Sequence, residues 1–249
     1  MSAKPLNGKV ALITGAARRI GASIATRLHA AGANVAIHYR SSAGDADALA
    51  ARLDAARTDS AATFQADLSE TASLPDLVAT VAGWGGGIDI LVNNASSFYP
   101  TPLGEITEDH WHDLVGSNLK APLFLSQAAL AELRKSRGVI VNMIDIHAQR
   151  PLKNHPVYGL AKAGLAMLTR SLAKDLAPEI RVNGIAPGAI LWPEDEMTDA
   201  TKQSILKQVP LGRPGDPDDI AGCVLYLVSD ATYVTGQIIA VDGGRSVGW

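Results

Sequence analysis

The chain has one cysteine, no long apolar run and no strong excess of either charge. Cys223 has no partner for an internal disulfide, and we interpret it as a buried thiol in an apolar helical stretch. No run of 18 apolar residues occurs, and the first nine residues lack a signal-peptide core. We therefore expect a cytoplasmic protein without a membrane span. The net charge of −3, with scattered Lys and Arg, argues against a nucleic-acid or membrane-surface partner.

Short apolar runs alternate with longer amphipathic stretches along the 249 residues. Strands are predicted at Val10–Thr14, Val35–Tyr39, Thr63–Ala66, Ile88–Asn93, Val139–Met143, Arg181–Ile185 and Ile238–Val241. Helices are predicted at Ile20–Ala31, Asp45–Arg57, Leu74–Ala82, Trp111–Arg134, Tyr158–Leu176 and Pro217–Val228. Continuously apolar strands that alternate with helices indicate an α/β fold, a doubly wound, mostly parallel sheet of about seven strands (Rossmann-type). An α/β chain of 249 residues can bury one continuous core, which favours a single domain over residues 1–249.

One segment, from Pro187 to Arg213, interrupts this alternation. It is rich in Gly, Pro and acidic residues, and its only helical pattern lies near Ala200–Gln208. A long insertion after a strand, in an otherwise compact domain, is more often a lid over a site than an error in the assignment of strands and helices. We therefore predict a substrate loop near 187–213, in which Trp192 either caps the pocket or anchors the loop.

The first predicted strand runs into a glycine-containing turn and then a helix. Gly15 permits a sharp turn, and Gly21 permits close packing of the helix on the sheet. The helix N-terminus offers N–H groups and a positive dipole end to a pyrophosphate. Arg19 stands where glycine usually allows close phosphate approach, so we expect its guanidinium to contact phosphate or substrate. The alternative is a tight turn with no ligand.

The end of the second strand indicates which dinucleotide binds. NAD sites typically place an acidic residue there, whereas this chain has no carboxylate until Asp45. Arg40 supplies charge, and Ser41 and Ser42 supply hydrogen-bond donors, for a 2′-phosphate, and we expect Arg18 and Arg19 to add to the same positive field. This pattern favours NADPH. The alternative is that Arg40 is a solvated surface charge.

Tyr158 and Lys162 lie four residues apart at the start of a predicted helix, and therefore on one face. A cation close to a phenol favours the phenolate, which makes the tyrosine a proton-transfer group near neutral pH. This pair alone is a common chance match. It gains specificity from four further features, namely the turn TGxxxRxG, Asn93-Asn94-Ala95, Asn118, and Pro187-Gly188 with Val241-Asp242-Gly243-Gly244. Together they resemble the short-chain dehydrogenase/reductase family over the whole chain.

The resemblance implies a role for each matching position. Asn118 matches the asparagine of a proton relay, Tyr158 the general acid, and Lys162 the residue that holds the nicotinamide ribose. The implied cofactor-binding residues, together with those from the turn and the second strand, are Thr14, Gly15, Arg19, Ile20, Gly21, Tyr39, Arg40, Ser41, Ser42, Asp67, Leu68, Asn93, Asn94, Ala95, Tyr158, Lys162, Pro187 and Gly188. The family also implies a homotetramer, in which Trp249 either reaches a neighbouring site or is a packed or frayed end.

Position 145 departs from the family pattern. A serine usually stands about thirteen positions before the tyrosine and stabilises the oxyanion of a ketone, whereas this chain has Asp145. An ionised carboxylate there would repel an alkoxide. A protonated acid, or an acid coupled to the tyrosine, can instead deliver a proton to a ring nitrogen. The departure therefore favours reduction of a C=N bond.

A second departure follows the fourth strand, where Ser96 replaces the usual glycine and Phe98 comes two residues later. An aromatic ring at this edge can stack on a planar heterocycle. With Asp145, the segment resembles the pteridine reductase branch, and Ile37-His38-Tyr39 is similar too. The resemblance implies a pterin or folate as substrate, bound by Arg19, Ser96, Phe98, Asp145 and Tyr158.

These patterns predict an NADPH-dependent reductase of dihydropterin or dihydrofolate. One alternative is a carbonyl reductase of the same family, acting for example on a 3-ketoacyl thioester. Another is a non-catalytic cofactor-binding protein. No metal is expected, since His110 and His112 point to different faces of a helix. We interpret His147 and His155 as surface histidines near the catalytic loop.

Overall fold

The computed structural model describes residues 4–191 and 198–247 and contains one seven-stranded sheet in the order β3-β2-β1-β4-β5-β6-β7. All six strand pairings are parallel. The strands are β1 Val10–Ile13, β2 Asn34–Tyr39, β3 Ala61–Gln65, β4 Ile90–Asn93, β5 Val139–Met143, β6 Arg181–Pro187 and β7 Ile238–Val241. The predicted doubly wound sheet is confirmed.

Helices cover both faces of the sheet. They are α1 Arg19–Ala30, α2 Ala43–Ala56, α3 Leu74–Gly85, α4 Glu108–Val115, α5 Ala121–Ala128, α6 Leu130–Ser136, α7 Pro156–Asp175, α8 Asp199–Leu206 and α9 Pro217–Ser229. One core joins the sheet to α1, α2 and α9, and a second joins it to α3, α5, α6 and part of α7. Within the described ranges no helix has the length and apolar character to cross a bilayer. Cys223 is half-buried against the first core, and burial raises the pKa of its thiol to about 11.

The predicted long helix Trp111–Arg134 is wrong in its continuity. The structure divides this stretch into α4, a π-helical turn at Gly116–Lys120, α5 and α6. At the turn, the Ala121 N–H donates to Gly116 O, five residues back. Such turns are wider than α-helix and occur often at functional sites. Here the wider turn contains Asn118, whose side chain donates to Leu114 O at 2.9 Å.

The site is positioned by the point where the strand order reverses. The chain fills the sheet outward from β1 to β3 on one side and then returns beside β1 with β4. Ligands of open parallel sheets bind outside the carboxyl ends of the strands at such a point. The segments that follow β1 and β4 therefore form the floor of the candidate site. β6 also continues two residues beyond its predicted end, because Pro187 pairs with Val241.

Candidate active site

A cavity of about 660 Å³ opens at the carboxyl ends of β1, β2 and β4. Most of the predicted cofactor-binding residues line it. They are Gly15, Arg19, Ile20, Gly21, Tyr39, Arg40, Ser41, Ser42, Asp67, Leu68, Asn94 and Ala95. Ser96 of the predicted substrate set also lies on this wall. The structure thus brings together residues that are spread over some eighty positions of the sequence.

The turn after β1 requires glycine at two positions. Gly15 has a φ of +59°, in the left-handed region that favours glycine. A Cβ on Gly21 would lie 2.3 Å from Gly15 O, so the helix can approach the turn this closely only without a side chain. The N-cap residue Arg18 makes no side-chain hydrogen bond to the first turn of α1. The first N–H groups of α1 are therefore not capped by Arg18 at the end that borders the cavity.

Arg19 also lies in the left-handed region, with a φ of +53°. This conformation costs a non-glycine residue roughly 1–2 kcal/mol, whereas glycine adopts it freely. Position 19 therefore has a backbone conformation that is typical of glycine. This agrees with the glycine that usually stands at this position of the turn. The chain therefore keeps a strained backbone at position 19 together with the Arg19 guanidinium, which lines the cavity.

Thr14 and Asn93 lie behind the cavity wall rather than on it. Thr14 is buried, and its Oγ1 accepts from the N–H groups of Asn94 and Ala95 at 2.9 and 3.0 Å. Asn93 is buried and donates to Asn142 Oδ1 at 2.8 Å. In the structure both side chains are directed into the protein, where they hold the segment that forms the wall. They support the site instead of facing a ligand.

At the end of β2, the cavity wall presents a basic and hydroxylated surface made by Arg40, Ser41 and Ser42. The first carboxylate along the chain, Asp45, forms an ion pair with Arg18, with 3.6 Å between Nε and Oδ2. Asp67 lies opposite. The N–H and hydroxyl of Ser69 lower the pKa of the Asp67 carboxyl most, and the charge of Arg40 lowers it further.

Tyr158 and Lys162 lie one turn apart on α7 and are both buried. The Tyr158 hydroxyl donates to Asp145 Oδ2 at 2.8 Å. The Lys162 Nζ donates to Met143 O at 2.8 Å and lies 5.7 Å from the centre of the Tyr158 ring. A carboxylate, a phenol and an ammonium are thus joined within one cluster.

The expectation that Lys162 favours a Tyr158 phenolate is wrong for this structure. Burial raises the pKa of the Tyr158 hydroxyl well above its usual value, and the charge of Asp145 raises it further. Burial also lowers the pKa of Lys162 to about 8, against the opposing effect of Asp145. The tyrosine is therefore held as a protonated donor whose proton lies toward the aspartate.

Asp145 is oriented by its own backbone neighbourhood. It follows β5 in an extended conformation and is the N-cap of a short 3₁₀ turn at Ile146–Ala148. Its Oδ1 accepts from the His147 N–H at 2.8 Å, and its Oδ2 accepts from Tyr158. One oxygen therefore fixes the carboxylate while the other contacts the phenol.

Asn118 is held in the π-helical turn by donating its Nδ2 to Ser97 O and Leu114 O, each at 2.9 Å. Its Oδ1 accepts from the Ser96 hydroxyl at 2.6 Å. Ser96 also lies near Tyr158 and lowers the pKa of the phenol, against the larger raising effects of burial and of Asp145. Asp145 with Tyr158, and Ser96 with Asn118, therefore form two neighbouring hydrogen-bonded pairs.

Phe98 is 49% exposed and contacts Tyr158 edge to face, with ring centres 4.8 Å apart. The His155 imidazole stacks on it at 4.9 Å, with only 15° between the planes. One face of the predicted aromatic plate is therefore covered by a histidine of the protein itself. Stacking of a substrate ring on that face requires His155 to turn away.

A second cavity, of about 460 Å³, adjoins this aromatic pair. His147 and His155, interpreted from the sequence as surface histidines, both line it, together with Leu103, Leu152 and Leu160. His112 and Asp113 of α4 line the first cavity, although no sequence pattern marks them as site residues. The predicted amphipathic periodicity of that stretch carries no signal for which polar residues face the sheet edge, so only the fold reveals them.

Three further sequence predictions concern the margins of the site. Pro187 and Gly188 lie at the carboxyl end of β6, where Gly188 donates to Val241 O at 3.1 Å. A Cβ on Gly188 would lie 2.6 Å from Cβ of Asp242, so this approach requires glycine. Trp192 and Trp249 lie outside the described residues. Across 4–191 and 198–247, no group of three or more His, Cys, Asp or Glu has metal-binding geometry.

Comparisons with known proteins agree with this architecture. A family model described as enoyl-(acyl carrier protein) reductase matches residues 15–246. Pteridine reductase 1 of Leishmania tarentolae is 42% identical, with 96% of each chain covered. A 3-oxoacyl-acyl-carrier-protein reductase of Staphylococcus aureus is 38% identical over 95% of this chain and 97% of its own. An uncharacterised oxidoreductase of Methylorubrum extorquens is 36% identical over 96% and 98%. The chain therefore belongs to the short-chain dehydrogenase/reductase family and is an oxidoreductase.

Proposed function

We propose that this enzyme uses NADPH to reduce a dihydropterin or dihydrofolate to its tetrahydro form. The observation that carries the proposal is the 2.8 Å hydrogen bond from the Tyr158 hydroxyl to Asp145. Relatives that reduce ketones need a neutral donor at position 145, because an anion there opposes the developing alkoxide. A carboxyl group coupled to a phenol suits protonation of a ring nitrogen instead.

The cavity fits an NADP-type dinucleotide. The glycine-dependent approach of α1 to the turn after β1 leaves the helix N-terminus beside the space that a pyrophosphate needs. Arg40, Ser41 and Ser42 would hold the 2′-phosphate, and Asp67 with Leu68 would contact the adenine. Lys162 would hold the nicotinamide ribose. When bound, NADPH supplies a hydride to the ring carbon of a C=N bond.

The proton for the ring nitrogen comes from the coupled pair. Because the pKa of Tyr158 is raised, the phenol keeps its proton until an acceptor is in place. Transfer toward the substrate leaves negative charge on the pair of Tyr158 and Asp145, and the adjacent Lys162 cation offsets it. Ser96 and Asn118 orient the donor side of the cluster through their 2.6 Å hydrogen bond.

The pterin would lie over the nicotinamide against Phe98. The exposed half of that ring offers a flat apolar surface, and Ser96 and Arg19 supply polar contacts beside it. The second cavity, beyond His155, would receive the substituent that a pterin or folate carries on its ring. We also assign residues 187–213 to a substrate loop within a single 1–249 domain.

The test is the rate of NADPH oxidation with dihydrobiopterin and dihydrofolate, measured beside an acetoacetyl thioester. The proposal predicts turnover of at least one pterin and at least about 100-fold lower kcat/KM for the thioester, the scale of one well-placed proton donor. No pterin turnover together with efficient thioester reduction would overturn it.

A second candidate function is reduction of a 3-oxoacyl thioester. It is favoured by the 38% identity to a Staphylococcus aureus reductase whose name states that activity. It would require the carboxyl of Asp145 to act as the oxyanion donor in a serine's place. The same assay decides between the two candidates.

We further propose that the enzyme is a homotetramer. Large apolar side chains are exposed on helices of one side of the sheet, namely Trp111, Leu123, Phe124, Leu160 and Met167. Several large apolar side chains exposed on one side of a protein are typical of an interface between protein chains. Light scattering during size-exclusion chromatography would give about four times the 26.0 kDa chain mass, and a monomer mass would refute the assembly.

A further inference from the structure

His38 is a buried histidine at the cofactor end of β2 with no part in the proposed proton transfer. Its side chain is 2% exposed, and it lies between the turn after β1 and the segment after β3. Its Nδ1 accepts from the Gly15 N–H at 3.2 Å. Its Nε2 lies 3.2 Å from Ala66 O.

These two contacts determine the proton position on the ring. The Gly15 N–H can only donate, so Nδ1 carries no proton, and the Ala66 carbonyl can only accept, so Nε2 carries one. The neutral Nε2–H form satisfies both partners at once. Burial favours this form strongly, since it lowers the pKa of His38 to about 4, although the nearby Asp67 opposes the shift.

The backbone carbonyl of His38 also bonds to the turn after β1. The Ala16 N–H donates to His38 O at 2.9 Å. Two successive N–H groups of the turn are therefore bonded to one residue of β2 and are not directed at a phosphate. The N–H groups that can face a pyrophosphate therefore come later, from the rest of the turn and from the first turn of α1, where Arg18 provides no side-chain cap.

We propose that His38 is a positioning residue that ties the phosphate turn to the adenine wall and thereby sets the affinity for NADPH. The inference rests on the proposed NADPH cofactor. Its ring joins Gly15 at one wall of the cavity to Ala66, directly before Asp67, at the other. It acts through the turn and contributes nothing to proton transfer, so its loss affects cofactor binding while kcat at saturating NADPH stays unchanged.

Two substitutions test this role. His38→Leu fills the space but leaves the Gly15 N–H without an acceptor, so the Kd for NADPH measured by calorimetry should rise about tenfold. His38→Asn places a carbonyl near the Nδ1 position and should keep the Kd within about threefold of wild type. For both variants, kcat at saturating NADPH should match wild type.

His29→Leu is the matched control. His29 is also buried, and its Nε2 lies 2.7 Å from Ser60 Oγ, near the carboxyl end of α1 and away from the cavity. This change should lower Tm without changing the Kd. Unchanged Kd in His38→Leu, with wild type binding NADPH, would overturn the inference alone, whereas no binding by wild type would overturn the proposed cofactor as well.

A measurement on the wild type covers the case in which His38→Leu does not fold. Nitrogen NMR of histidine-labelled enzyme should show His38 as the Nε2–H form at pH 7, with slow exchange of the Gly15 amide hydrogen. A protonated Nδ1, or rapid exchange at Gly15, would refute the proposed role.

Discussion

The Tyr158 hydroxyl donates to Asp145 Oδ2 at 2.8 Å, so the phenol and the carboxylate share one proton-bearing contact. The second oxygen of Asp145 is fixed by the His147 N–H. This geometry places an acid at the position where the family resemblance implies a serine hydroxyl. It also explains the raised pKa of Tyr158, since a buried phenol beside an anion resists ionisation.

Asp145→Asn should lower kcat for a pterin at least about 100-fold, because an amide cannot relay the proton. The KM for NADPH should stay unchanged. Asp47→Asn is the control, since Asp47 is exposed on α2, where it accepts from the Thr63 hydroxyl, and lines neither cavity. A kcat for Asp145→Asn within threefold of wild type would remove Asp145 from the mechanism.

The pH dependence of kcat should follow Lys162. Burial lowers the pKa of its ammonium to about 8, so the cation is present below that pH and is lost as pH rises through it. Steady-state rates should therefore fall above about pH 8, while the raised pKa of Tyr158 keeps the phenol protonated. In Lys162→Arg the guanidinium stays charged past pH 12. Its rate should therefore show no fall near pH 8, whatever the absolute rate of this variant. A wild-type rate that is flat to pH 10 would contradict this assignment.

Arg40→Asp should raise the KM for NADPH at least about tenfold and leave the KM for NADH unchanged or lower, because one charge-assisted contact to the 2′-phosphate is replaced by repulsion. Arg52→Asp is the control, as Arg52 is exposed on α2 and contacts Thr26 instead of the cavity. Equal changes for both cofactors would show that Arg40 binds no phosphate.

Arg19→Gly should separate stability from binding. Relief of the left-handed backbone should leave the free energy of unfolding unchanged or raise it by up to about 1 kcal/mol, while loss of the guanidinium raises the KM for NADPH. Arg137→Gly is matched to it, because Arg137 has a φ of +52° at the end of α6. Arg137→Gly should change the free energy of unfolding by a similar amount and should leave the KM for NADPH and for the pterin unchanged. Denaturant titration and steady-state kinetics supply both readouts.

Phe98→Leu should raise the KM for a pterin about tenfold, because it removes the stacking surface, and should leave the KM for NADPH unchanged. Phe98→Tyr keeps the ring and should stay within about threefold of wild type. If Phe98→Leu binds the pterin normally, the substrate ring stacks elsewhere.

Much of the fold was predictable because its signals are local. The strands β1, β4 and β5 are buried on both faces. Their sequences are therefore mostly apolar, a pattern that indicates parallel strands. The break of the predicted helix Trp111–Arg134 was not predictable, since the π-helical turn lies where Asn118 contacts Ser97, more than twenty positions away in the sequence, and no local pattern marks that contact.

Those residues of the candidate site were predictable whose side-chain type alone indicates a chemical role. Asp145 stands out because it replaces a hydroxyl, and the structure places it against Tyr158. The pairing of His155 with Phe98 and the two contacts of His38 join residues far apart in sequence, so no local pattern reveals them. The protonated state of Tyr158 likewise depends on burial, which composition does not show.

The most direct measurement is a crystal structure of the enzyme with NADPH and methotrexate, a pteridine analogue. We expect the pteridine ring between the nicotinamide and Phe98, with the Asp145 carboxyl within about 3.2 Å of a ring nitrogen or amino group. A bound dinucleotide with Asp145 turned away from the pteridine, or with no pteridine in the cavity, would contradict it.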